Sequence, residues 1–287
     1  MRRLAIKWDP VVVDSDGRVG GHDAGATLVR RLLRLRADPI LIGPGPRRGD
    51  GFEVMPLEFV DTDSTVVINM DVLDSTKVWR VLREHGEHPA VMNFQWGPTT
   101  TYADQVPQLV EALSFAIFPT FANSERTASA VRETVNRWTV RDVAAKARIG
   151  WANLGFTVEH VRPRHHTAIP VVLYPAIYLS DRKRPRLFLD VVEQVHRQLP
   201  LRVSMRLHES HLVSELAMNL SQKDWYWVGP LTATRVSYWE ALAGTTAFLA
   251  TAVEESYGLE YVEAMAAGVI GILPDAPWAR ALVPEGY

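Results

Sequence analysis

Two carboxylates eight residues apart, Glu255 and Glu263, bracket a glycine in the stretch Glu255-Ser-Tyr-Gly-Leu-Glu-Tyr-Val-Glu263-Ala-Met-Ala-Ala-Gly268. Carboxylates accept hydrogen bonds from hydroxyl groups. A helix that opens just after a glycine offers unpaired backbone N–H groups and the positive end of its dipole to an anion. The combination suits a sugar joined to a nucleotide diphosphate, with phosphate at the loop around Gly258, the sugar at Glu255, and ribose hydroxyls at Glu263 one turn into the helix. The flanks show what must hold these groups. Ala247-Phe-Leu-Ala250 reads as a buried strand, and Leu259, Val262 and Ala266 recur at helical spacing until Gly268 offers a stop. The expected unit is strand, loop, helix.

The same alternation runs through the chain. Strands are expected at Arg3 to Trp8, Ile40 to Ile42, Thr65 to Met70, Ala90 to Phe94 and Phe115 to Phe118, with an amphipathic helix from Ala24 to Leu35. A second series begins near Pro170, with strands at Val171 to Tyr174, Leu201 to Arg206, Trp225 to Val228, Ala247 to Ala250 and Val269 to Leu273. Strands alternating with helices imply parallel sheets covered on both faces. The basic, Pro-bracketed stretch from Val161 to Pro170 has no periodicity and is the expected boundary, giving domains 1–165 and 166–287. Open parallel sheets bind ligands at the carboxyl ends of their strands, so two of them facing each other would share one cleft.

Composition narrows the class. A chain of 287 residues can bury two modest cores, and 47% hydrophobic with 22% charged residues is ordinary for a globular protein. A formal net charge of −2 argues against a general nucleic-acid binder. No apolar run has the length of a membrane span, and Met1-Arg-Arg-Leu-Ala-Ile-Lys7 is interrupted too soon by Trp8-Asp9-Pro10 to act as a secretory signal, so a cytoplasmic protein is expected. The absence of cysteine removes disulfides, thiolate catalysis and Cys-ligated zinc. His208-Glu-Ser-His211 lacks the spacing that sets two ligands on one helix face, and Asp14-Ser-Asp-Gly lacks the later ligands of a calcium loop, so no metal site is expected. Arg30, Arg31, Arg34 and Arg36 on the first helix make peripheral contact with anionic lipid conceivable, although a solvated helix face explains them more simply.

The pattern Glu-x-Tyr-Gly-Leu-x-x-x-Glu-Ala-Met-Ala-x-Gly resembles the donor-site signature of the large family of retaining, family-4-like glycosyltransferases, whose fold is GT-B. Val228-Gly-Pro-Leu231, the helical Val236 to Leu242, and Asn123-Ser-Glu-Arg-Thr-Ala-Ser-Ala-Val-Arg132 with its Ser cap resemble further segments of that family in the same order. The resemblance implies an α/β fold of two Rossmann-like domains and transfer of a hexose from a nucleotide-diphosphate sugar with retention of configuration, without metal or other cofactor. It implies catalytic roles for Glu255 and Lys183, and donor contacts from Glu263, Arg182, Tyr257, Gly258, Leu259 and Leu231. It also matches Gly20 and Gly21, in the loop after the first strand, to a glycine pair that approaches the donor diphosphate. The acceptor is expected on the first domain, near His22, Gln95 and Trp96.

The sequence departs from the family in three places. Tyr178 and its neighbours stand where an Arg usually precedes the loop lysine, and Gln95-Trp-Gly-Pro98 stands where many members carry a His near the reacting sugar. The chain stops at Val283-Pro-Glu-Gly-Tyr287, in what reads as a loop, so the second domain is expected to be cut short relative to the family. Two other functions fit the same reading: a nucleotide-sugar epimerase of this fold, and a non-catalytic sugar-nucleotide-binding subunit. The acceptor, the sugar and the base stay open.

Overall fold

In a computed structural model, the described residues are 2–21, 23–99, 104–231 and 234–283. The chain divides into two compact units, Met1–Asn153 and Leu154–Tyr287. The stretch from Val161 to Pro170, expected as the boundary, belongs to the second unit. Val161 packs against that unit's core, Arg164 donates to the carbonyl of Thr245 at 2.6 Å, and the His165 amide donates to the carbonyl of Ala243.

The first unit runs β1 (Arg3–Lys7), α1 (Ala24–Leu33), β2 (Ile40–Ile42), β3 (Arg47–Arg48), β4 (Glu53–Met55), β5 (Thr65–Asn69), α2 (Ser75–Glu84), β6 (Ala90–Gln95), α3 (Gln105–Ile117), β7 (Thr120–Ala122), α4 (Glu125–Trp138), α5 (Arg141–Ala144) and β8 (Ile149–Trp151). Its sheet has the order β3-β4-β2-β1-β5-β6-β7-β8, and every pairing is parallel except β3 with β4. One expected strand is corrected. Phe115 to Phe118 closes a helix instead, with Phe115 fully buried, and the strand follows at Thr120–Ala122. A short apolar run fits either period, and here the run continues the spacing of the preceding helical turns. Two helices open on the side chains that their types favour. Asp23 accepts from the amide of Ala26 at the start of α1, and Ser124 accepts from the amide of Thr127 at the start of α4.

The second unit runs β9 (Val171–Tyr174), α6 (Pro185–His196), β10 (Arg202–Leu207), α7 (Glu209–Leu212), α8 (Glu215–Ser221), β11 (Tyr226–Pro230), α9 (Arg235–Ala243), β12 (Ala247–Leu249), α10 (Leu259–Ala266), β13 (Ile270–Ile272) and α11 (Pro277–Arg280). All five strands are parallel, in the order β11-β10-β9-β12-β13. Successive strand residues face opposite sides, so Leu173 joins Trp239, Phe248, Tyr261 and Trp278 in one core layer, while Tyr174 joins Phe188, Val203 and Met205 in the other. Burying one such aromatic removes about 150–250 Å² from water, worth roughly 4–6 kcal/mol before the entropy of ordering is subtracted. The motif that carries Glu255 and Glu263 is thus built onto a rigid, two-sided sheet. Among the described residues, no helix is long and apolar enough to cross a membrane.

Candidate functional site

In an open parallel sheet, the crevice for a ligand lies outside the carboxyl ends of the strands where the strand order reverses. In the second unit that reversal falls between β9 and β12. The loop after β9 carries Arg182 and Lys183, and the loop after β12 carries Glu254 and Glu255. Hydrogen bonds to the backbone lock the two loops together: the amide of Val253 donates to the carbonyl of Arg182 at 2.8 Å, and the hydroxyl of Thr251 donates to the carbonyl of Lys183 at 2.8 Å. Residues some seventy positions apart in sequence therefore meet at one edge of the sheet.

Glu255 is the focus. The ammonium of Lys183 donates to Oε1 of Glu255, and the hydroxyl of Tyr261 donates to the same oxygen at 2.8 Å. Beside this pair, Arg182 reaches Oε2 of Glu254 at 3.3 Å. Gly258 precedes α10 with φ of +79°, in the left-handed region where a side chain is unfavourable, and a Cβ there would lie 2.7 Å from the ring of Tyr261. No side chain caps α10, which opens on a glycine. Tyr257 and Leu259 flank Gly258 and are half-buried. Glu260, in the first turn of α10, is half-buried, and its carboxyl is pushed up to about 7. Burial is the main cause; the charge of Lys183 works against it, and the charges of Glu255 and Glu263 add to it.

Glu263 faces another way. Its side chain is 3% exposed, and both of its oxygens accept from the guanidinium of Arg235, which also lies over the ring of Tyr238 with 4.8 Å to the centroid. Tyr238 is also hydrogen-bonded to Glu263, and burial followed by that carboxylate's charge pushes its hydroxyl well above the usual tyrosine value. The carboxylate that the sequence pattern assigns to ribose hydroxyls is held in the structure by an arginine and a tyrosine. The physical reason is helical geometry. One turn into α10 the side chain turns toward α9, and a carboxylate buried there needs a cation. Leu231 follows β11 and is half-buried.

The residues expected on the first unit are also placed by local bonds. The loop after β1 forms a narrow turn, with Val13 bridged to Val19, Asp14 Oδ1 accepting from the amides of Asp16 and Arg18, and Gly20 donating to the carbonyl of Val12. Gly21 adopts φ of +83°, and the guanidinium of Arg30 donates to its carbonyl at 2.8 Å. The carboxylate of Asp23 occupies the start of α1, 3.2 Å from where a Cβ on Gly21 would stand. Asp23 thus caps α1 beside the Gly20–Gly21 loop that the sequence matches to a donor diphosphate. Gln95 is buried, and its amide donates to the carbonyl of Gly97 at 2.8 Å. Trp96 meets Trp8 edge to face at 6.0 Å. His22 lies outside the described residues.

Sequence reasoning missed Tyr261, Glu260, Arg235 and Tyr238 in the second unit, and Lys7 in the first. Lys7, at the end of β1, is buried with its ammonium 2.8 Å from Asp9 and 2.7 Å from Asp74. Burial pulls its pKa down, but the bonds to Asp74 and Asp9 outweigh that and leave it raised. The available signal was position. Lys7 ends the first strand of the first unit's sheet, and Tyr261 stands in the first turn of α10, soon after Glu255.

Solved structures identify the fold. The chain aligns with TarM at 14% identity and a TM-score of 0.58, covering 79% of this chain and 44% of TarM, so it spans less than half of that protein. It aligns with sucrose-phosphate synthase from Thermosynechococcus elongatus at 11% identity and a TM-score of 0.67, covering 95% and 81% of the two chains. It aligns with an α,α-trehalose-phosphate synthase (UDP-forming) from Burkholderia vietnamiensis at 10% identity and a TM-score of 0.61, covering 98% and 85%. The fold shared with these proteins is GT-B, with two Rossmann-like units. No family model and no curated protein matches the chain.

Proposed function

We propose that this chain is a glycosyltransferase whose second unit binds a nucleotide-diphosphate sugar and whose reaction moves the hexosyl group to an acceptor with retention of configuration. The observation that carries the reading is the Lys183–Glu255 pair, set where the strand order reverses and beside the uncapped start of α10. The GT-B fold supports the class, since the solved structures that share it include a sucrose-phosphate synthase and a UDP-forming trehalose-phosphate synthase.

In this reading the diphosphate lies against the amides that follow Tyr257, Gly258 and Leu259. Lys183 and Arg182 supply positive charge that persists as the bond to the sugar breaks, an electrostatic arrangement fixed before reaction. Glu255 orients the sugar. Glu263 acts at the nucleotide end together with Arg235, and Leu231 lies near the base. We assign Glu255, which Lys183 and Tyr261 hold by hydrogen bonds, an orienting and not a nucleophilic role. The acceptor hydroxyl then attacks on the face that the leaving group departs. The bond from the anomeric carbon to phosphate oxygen breaks, the bond to the acceptor oxygen forms, and the acceptor's proton passes to the departing phosphate. We place acceptor recognition on the first unit, on Trp96, Gln95 and His22.

The reading needs no divalent ion, because cationic side chains stand at the site. UDP-, GDP- and ADP-glucose and the free nucleotide diphosphates are the probes. One of the three series should raise the melting temperature, by the mass action of binding to the native state, and EDTA should leave the shift unchanged. A shift that requires magnesium or manganese overturns the metal-free part, and the absence of any shift overturns donor binding itself.

A further inference from the structure

Two donors converge on a single oxygen of Glu255: the ammonium of Lys183 from the loop after β9, and the hydroxyl of Tyr261 from the first turn of α10. A carboxylate on a loop turns freely about its last bonds, and one ionic contact restrains it only loosely. A second donor from a different direction fixes the plane of the group. The Tyr261 side chain is well built for that task. It is 2% exposed, and its ring packs 5.5 Å from Phe248 and 5.1 Å from Trp278, so the core holds the hydroxyl in place. Helical side chains lean back toward the helix N-terminus, which carries Tyr261 over the turn at Gly258 and onto Glu255. The fit is close enough that a Cβ at Gly258 would collide with the Tyr261 ring. Burial, together with the charge of Glu255, drives the phenol far above the usual tyrosine value, so it stays a protonated donor throughout the physiological range.

Tyr174, whose phenol also feels the charges of Glu255 and Glu260, is the natural comparison. Its hydroxyl donates to the carbonyl of Tyr178 at 3.1 Å and so braces the loop after β9, not the carboxylate. The two buried tyrosines thus divide the work, one holding the loop that brings Lys183 and the other holding Glu255.

We propose that Tyr261 is the positioning residue that aims the Glu255 carboxylate at the donor sugar, a role that rests on the donor reading above and extends it. Tyr261 acts through Glu255 and does not touch the nucleotide. Tyr261→Phe keeps the ring and its packing while deleting the hydroxyl. The test measures binding of UDP, GDP, ADP and their glucose esters to wild type, Tyr261→Phe, Glu255→Gln and the double variant, with melting temperatures alongside. The expected result has five parts: a melting temperature close to wild type, unchanged affinity for the free nucleotide diphosphate, about tenfold weaker affinity for its glucose ester, a fall in kcat larger than any rise in KM once transfer is assayed, and no further loss from Tyr261→Phe in the Glu255→Gln background. Tenfold is the scale of one hydrogen bond to a charged group, and the missing increment in the double variant marks two residues acting as a unit. Equal weakening of nucleotide and glucose ester, additive losses, or unaltered ester affinity overturns the positioning role. Wild type that binds none of the six probes overturns the donor reading instead, and the role falls with it. If Tyr261→Phe fails to fold, Tyr261→Met at the same position, read by the same ratio of ester to nucleotide affinity, decides the question.

Discussion

Both units of this molecule reverse their strand order beside a lysine that meets carboxylates, yet the two reversals are built differently. In the first unit, Lys7 lies between Asp9 and Asp74, with 9% of its side chain exposed, and the neighbouring helix α1 opens on the carboxylate of Asp23. In the second, Lys183 has 23% of its side chain exposed and shares Glu255 with Tyr261, while α10 opens on a glycine with no capping side chain. One edge has answered its positive charges with acidic side chains. The other pairs its lysine with a carboxylate that a tyrosine also holds, beside a helix start that no side chain caps. A glycine before a helix and a lysine after a strand do not by themselves make an anion site; what the chain puts in front of them decides.

The largest expected effects come from the two lysines. Lys183→Ala should lower transfer by at least a hundredfold, the scale for removing one fixed electrostatic contact to a developing charge, and leave the fold intact. Lys7→Ala should instead cost stability, on the order of 2–3 kcal/mol, below the full range for breaking a buried pair because Asp9 is largely exposed. Chemical denaturation and steady-state rates of both variants check this division. A Lys7 variant that folds normally but has lost transfer breaks the comparison.

The two helix starts come next. Gly258→Ala forces a side chain into φ of +79° and against Tyr261, and should weaken glucose-ester binding while costing about 1–2 kcal/mol of stability. Asp23→Ala removes a cap worth about 1 kcal/mol and should leave donor affinity within a factor of about two. Calorimetric titration of both variants separates the two helix starts.

The smallest effect is a pH dependence. The carboxyl of Glu260 is raised to about 7 in the folded chain, so between the ordinary carboxylate range and that value the native state binds the extra proton, and stability falls as pH rises through this window. Ionised Glu260 also adds negative charge near the crevice. Affinity for a glucose ester, which has no titrating terminal phosphate, should therefore weaken as pH rises past about 7. Glu260→Gln should flatten both curves.

Much of this architecture was legible in the sequence. Apolar runs locate all five strands of the second sheet and β1, β2, β5 and β6 of the first to within two residues, whereas β3, β4, β7 and β8, only two or three residues long, are too short to show a period, and the apolar run Phe115 to Phe118 closes a helix. Glu255, Gly258 and Lys183 were legible because their types and order name a chemistry. What was not legible depends on direction. Whether Glu263 looks out at a ligand or in at Arg235 turns on how α10 rotates against α9, and the pairing of Arg235 with Glu263 spans 28 residues of sequence. Nothing in its type or spacing marks Tyr261, which is buried in the core beneath α10. Only the fold shows that its hydroxyl ends on Glu255.

The central claim is that the donor diphosphate binds at the second unit's strand reversal. Its most direct test is the dissociation constant of whichever of UDP-, GDP- or ADP-glucose binds best, measured by calorimetry at one ionic strength for wild type, Lys183→Ala and Asp23→Ala. The account predicts at least tenfold weaker binding for Lys183→Ala and no more than a twofold change for Asp23→Ala. Unchanged binding in Lys183→Ala, with a clear change in Asp23→Ala, would place the diphosphate at the first helix start and contradict it.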